Sequence, residues 1–102
     1  MKRRYTALQE FIWAYFHEDW RLDANSRGDV VANFLRFENA PRVTAVLDDL
    51  RELLAEPATE GELHDALIHE YRLSYDPWDD KITTREWLEG LQREMQKSPE
   101  GS

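Results

Sequence analysis

This sequence predicts an all-α fold, a compact single-domain bundle of about five short helices, and three observations carry that reading. Apolar residues recur at spacings of three and four along most of the chain, which lines them along one side of a helix rather than on alternate faces of a strand. Ser or Thr stands three residues before Asp or Glu at Ser26–Asp29, Thr59–Glu62 and Thr83–Glu86, the pattern of a capped helix start. The chain has 102 residues, enough for one hydrophobic core and too few for two. Residues 1–96 are expected to form the helical domain and 97–102 a polar, frayed tail.

The first helix is expected from about Tyr5 to Phe16, with Leu8, Phe11, Ile12, Tyr15 and Phe16 on one side. Its apolar run and the close His17-Glu18-Asp19-Trp20 place Phe11, Trp13, Tyr15, Phe16 and Trp20 within ten residues. Large aromatic side chains bury the most apolar area apiece, so the rest of the chain is expected to pack on this stretch. The link from Arg21 to Arg27 reads as a loop, rich in Asp23, Asn25 and Ser26 and followed by Gly28. A short second helix, about Arg27 to Arg36, carries Val30, Val31, Phe34 and Leu35 on one face.

Asn39-Ala40-Pro41 opens the third helix, with proline in the first turn where its missing N–H costs nothing. Val43, Val46, Leu47, Leu50, Leu53 and Leu54 form its apolar side, and Asp48, Asp49, Arg51 and Glu52 are assigned to the opposite one. It ends near Glu56, since Pro57 disfavours a helical residue before it. Thr59 opens a fourth helix bearing Leu63, Ala66, Leu67 and Tyr71. Periodicity lapses from Arg72 to Thr83, where a loop or a very short extended segment is expected. The last helix follows Thr83, with Trp87, Leu88, Leu91 and Met95 on one face.

Composition narrows the function. With 41% hydrophobic residues, 33% charged residues and a mean hydropathy of -0.76, the chain can build a core and stay soluble. It contains no cysteine, which excludes disulfides and thiolate zinc sites and fits a cytoplasmic location. Met1-Lys2-Arg3-Arg4 is basic, but the apolar run after it is short and interrupted by Gln9 and Glu10, unlike a signal peptide. No stretch approaches the roughly 20 apolar residues of a membrane span. The net charge of -8 opposes nucleic-acid binding, because phosphate repels it within a screening length of about 8 Å. Eleven carboxylates against two guanidinium groups lie between Val43 and Asp80, a deficit of nine that exceeds the whole chain's. Such a field solubilises a surface, or docks and orients a basic protein. Tyr75 and Trp78, set beside Asp76, Asp79 and Asp80, favour docking, since aromatic anchors in polar surroundings mark interfaces.

Catalytic motifs are weak. His17, Glu18 and Asp19 mix an imidazole with carboxylates, and a metal-dependent hydrolase using His17 and Asp19 is the enzymatic alternative. Consecutive helical side chains point about 100° apart, however, so a structural role is favoured. His64 and His69 are five apart, off the spacing of four that a zinc pair on one helical face requires, and are read as surface histidines. The glycines are isolated, so no phosphate loop exists, and no serine sits in a nucleophile elbow. The protein is read as a non-enzyme without cofactor or metal, a monomer whose partner is a protein.

Two segments together resemble a known family. Tyr15-Phe16-His17-Glu18-Asp19-Trp20, and Tyr75-Asp76-Pro77 with Arg85-Glu86-Trp87-Leu88, are similar to the small immunity proteins of bacterial contact-dependent growth inhibition systems, the CdiI type. The resemblance spans about Leu8 to Gln92. A glycine often occupies the turn before the last helix in that family, whereas this chain has Trp78-Asp79-Asp80-Lys81. The resemblance implies a helical, cytoplasmic, non-enzymatic protein. Its partner would be the C-terminal toxin domain of a cognate CdiA effector, commonly a nuclease with a basic substrate-binding surface. A helical adaptor for another basic protein is the remaining alternative. Toxin contacts are expected from Asp48, Asp49, Glu52, Asp76, Trp78, Asp79 and Asp80. Tyr15, Phe16, His17, Asp19, Trp20 and Trp87 are expected to hold the structure, with His17 and Asp19 bracing the turn after the first helix.

Overall fold

Every helix but the first begins where local chemistry satisfies its free N–H groups. In the computed structural model, which describes residues 5–17, 20 and 26–96, the chain forms five α-helices and no strand among the described residues. They are α1 (Thr6–Tyr15), α2 (Arg27–Phe37), α3 (Ala40–Ala55), α4 (Glu60–Asp65) and α5 (Thr84–Gln96). Asp19, residues 21–25 of the expected link and the tail 97–102 lie outside the described residues.

All three expected capping pairs form. The Ser26 hydroxyl accepts from the Asp29 N–H at 3.2 Å. Thr59 and Glu62 make a reciprocal box of 2.8 and 3.2 Å, and Thr83 and Glu86 another of 2.9 and 3.0 Å. Asn39 caps α3 through the Arg42 N–H at 3.0 Å, with Pro41 in the first turn. Helix α1 starts differently. Tyr5, in a left-handed conformation, gives it no side-chain cap, and its first turn holds no acid.

Helix α1 packs on α3, while α5 is the hub against which α2, α3 and α4 all lie. Trp87, Leu88, Leu91 and Met95 are buried along α5, and with Leu8, Phe11, Ile12, Phe16, Phe34, Val46 and Leu50 they join one continuous core. Burial of aliphatic and aromatic side chains at roughly 1.5–3 kcal/mol each is the main force holding so small a bundle together. Of the aromatic run expected to anchor the core, Trp13 is the exception. It points to solvent, 67% exposed, because position 13 falls off the stripe defined by Leu8, Phe11 and Ile12.

Two stretches depart from expectation. The fourth helix does not stay α-helical to Tyr71. From Ala66 to Glu70 it widens into a π turn, closed by Tyr71 N–H to Ala66 O at 3.0 Å and Leu73 N–H to Leu67 O at 2.9 Å, with Arg72 left-handed at φ 58°. The expected loop from Arg72 to Thr83 contains a 3-10 turn, Pro77–Asp80. Asp76 caps it and Pro77 begins it, a start the Asp-Pro pair itself encodes.

Candidate protein-interaction face

The two segments that carry the family resemblance meet in space. Phe16 packs edge-on against Trp87, ring centroids 5.3 Å apart, and Trp20 lies 5.3 Å from Phe16 and 6.3 Å from Tyr75. Tyr75 in turn packs 5.8 Å from Trp87, and the Ser74 N–H donates to Phe16 O at 3.1 Å. Tyr15 stacks on Phe11 and donates its hydroxyl to Glu38 at 2.9 Å, tying the ends of α1 and α2. Burial, and then the Glu38 carboxylate, push the Tyr15 hydroxyl above its usual range. His17 is half-buried, and its carbonyl accepts from the Trp20 N–H at 2.9 Å.

A cavity of about 280 Å³ opens beside this cluster, walled by Phe16, Trp20, Tyr75 and Trp87 with Arg27 and Asp80 at its polar side. Arg27 crosses α5 at Gly90, where a Cβ would come within 2.6 Å of the guanidinium. It pairs with Glu94 at 2.9 Å and donates to the Trp87 carbonyl at 3.3 Å.

The expected contact residues divide between two elements and one interior position. Asp76, Trp78, Asp79 and Asp80 share the 3-10 turn, with Trp78, Asp79 and Asp80 exposed. Asp48 and Glu52 lie one helical turn apart on the outer side of α3, with Asp48 paired to Arg51 at 3.0 Å. Asp49 corrects the expectation of an exposed carboxylate. It is 2% exposed, and its Oδ2 accepts the Leu8 N–H at 3.1 Å, so it supplies the cap and the negative charge that the start of α1 lacks. Position 49 lies three residues after Val46 and four before Leu53, within the buried stripe of α3. That register was the signal available in the sequence.

His64 is a second correction. It is not a free surface histidine: its ring stacks on the Trp78 indole, centroids 3.6 Å apart and planes 9° apart. Its Nε2 hydrogen-bonds Asp76 Oδ1 at 2.8 Å, and the same oxygen accepts the Trp78 backbone N–H at 2.9 Å. Trp78 Nε1–H donates to Glu60 Oε2 at 2.7 Å. Glu60 also accepts from the backbone N–H of Thr84, through Oε2, and of Arg85, through Oε1 at 3.2 Å, and so caps α5 from the first turn of α4. Burial alone would push the Glu60 carboxyl up. The hydrogen bonds from Thr84, the Trp78 indole and the Arg85 backbone outweigh it and hold the group below its ordinary range. Tyr75 donates its hydroxyl to Asp80.

Sequence reasoning missed Glu60 and His64, since neither belongs to a motif and both act across 12 to 25 residues of chain. Trp78 is 47% exposed yet held on one face, one edge and its backbone. Trp13 and Phe37, 67% and 70% exposed, are the other large apolar side chains turned to solvent among the described residues. Among those residues no group of three or more His, Asp or Glu is arranged to hold a metal ion, and no helix is long and apolar enough to cross a membrane.

These features describe a small acidic helical protein whose polar side chains are spent on capping helices and on fixing one exposed tryptophan. Residues 4–95 match the family model described as CdiI immunity protein, and the chain belongs to that family. Its fold is similar to that of a chain in the crystal structure of the CdiA-CT/CdiI complex from Y. kristensenii 33638. The TM-score is 0.84 at 22% sequence identity, covering 91% of this chain and 99% of that one. No curated protein sequence matches it.

Proposed function

We propose that this protein neutralises the C-terminal toxin domain of a cognate CdiA effector by binding it and covering its active or substrate-binding surface. Membership of the CdiI family over residues 4–95 is the observation that carries this reading. The similar fold in a CdiA-CT/CdiI complex agrees with it. The protein acts as a stoichiometric, non-catalytic inhibitor in the cytoplasm, built as one helical domain over residues 1–96.

Charge supports a basic target, which a nuclease substrate cleft would supply. The carboxylates concentrated between Val43 and Asp80 would steer such a surface on encounter, and Trp78 would anchor it in an interface of about 800 Å² per partner. On this reading Asp76, Trp78, Asp79, Asp80, Asp48 and Glu52 face the toxin. Asp49 contributes from the interior by fixing α1 against α3.

Co-expression with the toxin domain encoded beside this gene tests the reading. Growth should be rescued and the two proteins should copurify at a fixed ratio. Reversing the charge of Asp79, Asp80 and Glu52 together should weaken binding at least tenfold and flatten its dependence on salt. Rescue without a stable complex would contradict inhibition by occlusion, and copurification with an unrelated basic protein alone would favour the adaptor alternative.

A further inference from the structure

Trp78 is fixed in a way that a residue serving only to cover the core is not. One face of its indole lies on His64 at 3.6 Å, and its N–H edge is bonded to Glu60 at 2.7 Å. The 47% of the residue left accessible is therefore the opposite face and its outer rim. A carboxylate accepting the indole N–H pushes electron density into the ring and places a negative charge in its plane. Both effects deepen the negative potential over the open face. Exposed Asp79 and Asp80 follow directly on the same 3-10 turn.

We propose that this open face is the seat of an arginine guanidinium supplied by the toxin domain, which makes Trp78 the middle layer of a His64–Trp78–arginine stack. The inference rests on the neutralisation reading and adds the chemistry of its central contact. Tryptophan is the aromatic side chain that holds cations best. A planar guanidinium stacks flat on the ring while its N–H groups remain free at the rim to bond carboxylates there, which a lysine ammonium cannot do in the same pose. Because the ring is held before the partner arrives, little side-chain freedom is lost on binding.

The test replaces Trp78 site-specifically with tryptophans bearing one to four ring fluorines, which keep the shape and progressively remove the negative face. Affinity for the toxin domain is measured by calorimetry, alongside Trp78→Leu. Thermal melting verifies that each variant folds, as expected for a side chain half in solvent. Affinity should fall stepwise with fluorination, by about 3-fold to 30-fold over the series, and Trp78→Leu should lose at least as much. Equal affinity across the fluorine series overturns the proposal. Loss in Trp78→Leu alone then means that the indole fills an apolar pocket, and no loss in either means that the toxin docks elsewhere. Wild-type protein that fails to bind the toxin domain overturns the neutralisation reading itself, a result separate from any of these.

Discussion

Asp48 and Asp49 are neighbours with opposite fates. One meets Arg51 near solvent, and the other sits 2% exposed on the amide of Leu8. Asp49→Ala should cost about 2 kcal/mol in chemical denaturation, because a charged hydrogen bond and a favourable charge at a helix start are lost together. Asp48→Ala should stay within about 0.5 kcal/mol, as for other exposed ion pairs. Lys81 ends the 3-10 turn at φ 63°, where a Cβ is strained and glycine is at ease. Lys81→Gly should therefore stabilise the protein by up to about 1 kcal/mol, read as a rise in Tm; an unchanged or lower Tm would mean that the lysine side chain makes a compensating contact. Glu60 has a carboxyl held below its unfolded value near 4.5, so its contribution is fully present above that pH and is lost as pH falls through the folded value. Stability measured from pH 7 to pH 3 should drop less steeply in Glu60→Gln than in the wild type.

Helix starts were legible because their chemistry is local. Ser26, Asn39, Thr59 and Thr83 each find an amide three residues on, and the helices begin there. The end of the fourth helix was less so. The widening of the fourth helix at Ala66–Glu70 depends on where Leu73 and Ser74 must go to reach Leu67 and Phe16, information that no local window contains. Contacts between helices were least accessible of all. Gly90 read as an isolated helical glycine, yet it is the floor on which Arg27 lies to reach Glu94 and the Trp87 carbonyl. Gly90→Ala should gain about 1 kcal/mol of helix propensity in an Arg27→Ala background. In the native background that gain should vanish or reverse, since Arg27 must leave its partners. A double-mutant cycle showing coupling below about 0.5 kcal/mol would refute this packing.

For the molecule as a whole, the bundle was readable from periodicity and capping, whereas the candidate interaction face was readable only in part. Composition located the acid between Val43 and Asp80, and the exposed Trp78 within it, but not the clasp that holds the indole. That clasp joins α4, the 3-10 turn and α5 through side chains distant in sequence. The two segments of the family resemblance likewise make sense only once folded, as facing parts of one aromatic cluster around Phe16, Trp20, Tyr75 and Trp87. Glu60 has a consequence at this scale. With one oxygen on the start of α5 and on the Trp78 indole, it links the integrity of the scaffold to the pose of the surface. The dependence runs one way: Trp78 can be exchanged while α5 stays capped, but Glu60 cannot change without loosening both. On the proposed reading of the toxin-facing residues, a lineage that meets a new toxin thus has latitude at positions 78 to 80 and little at 60. Recognition can drift over a scaffold that stays put.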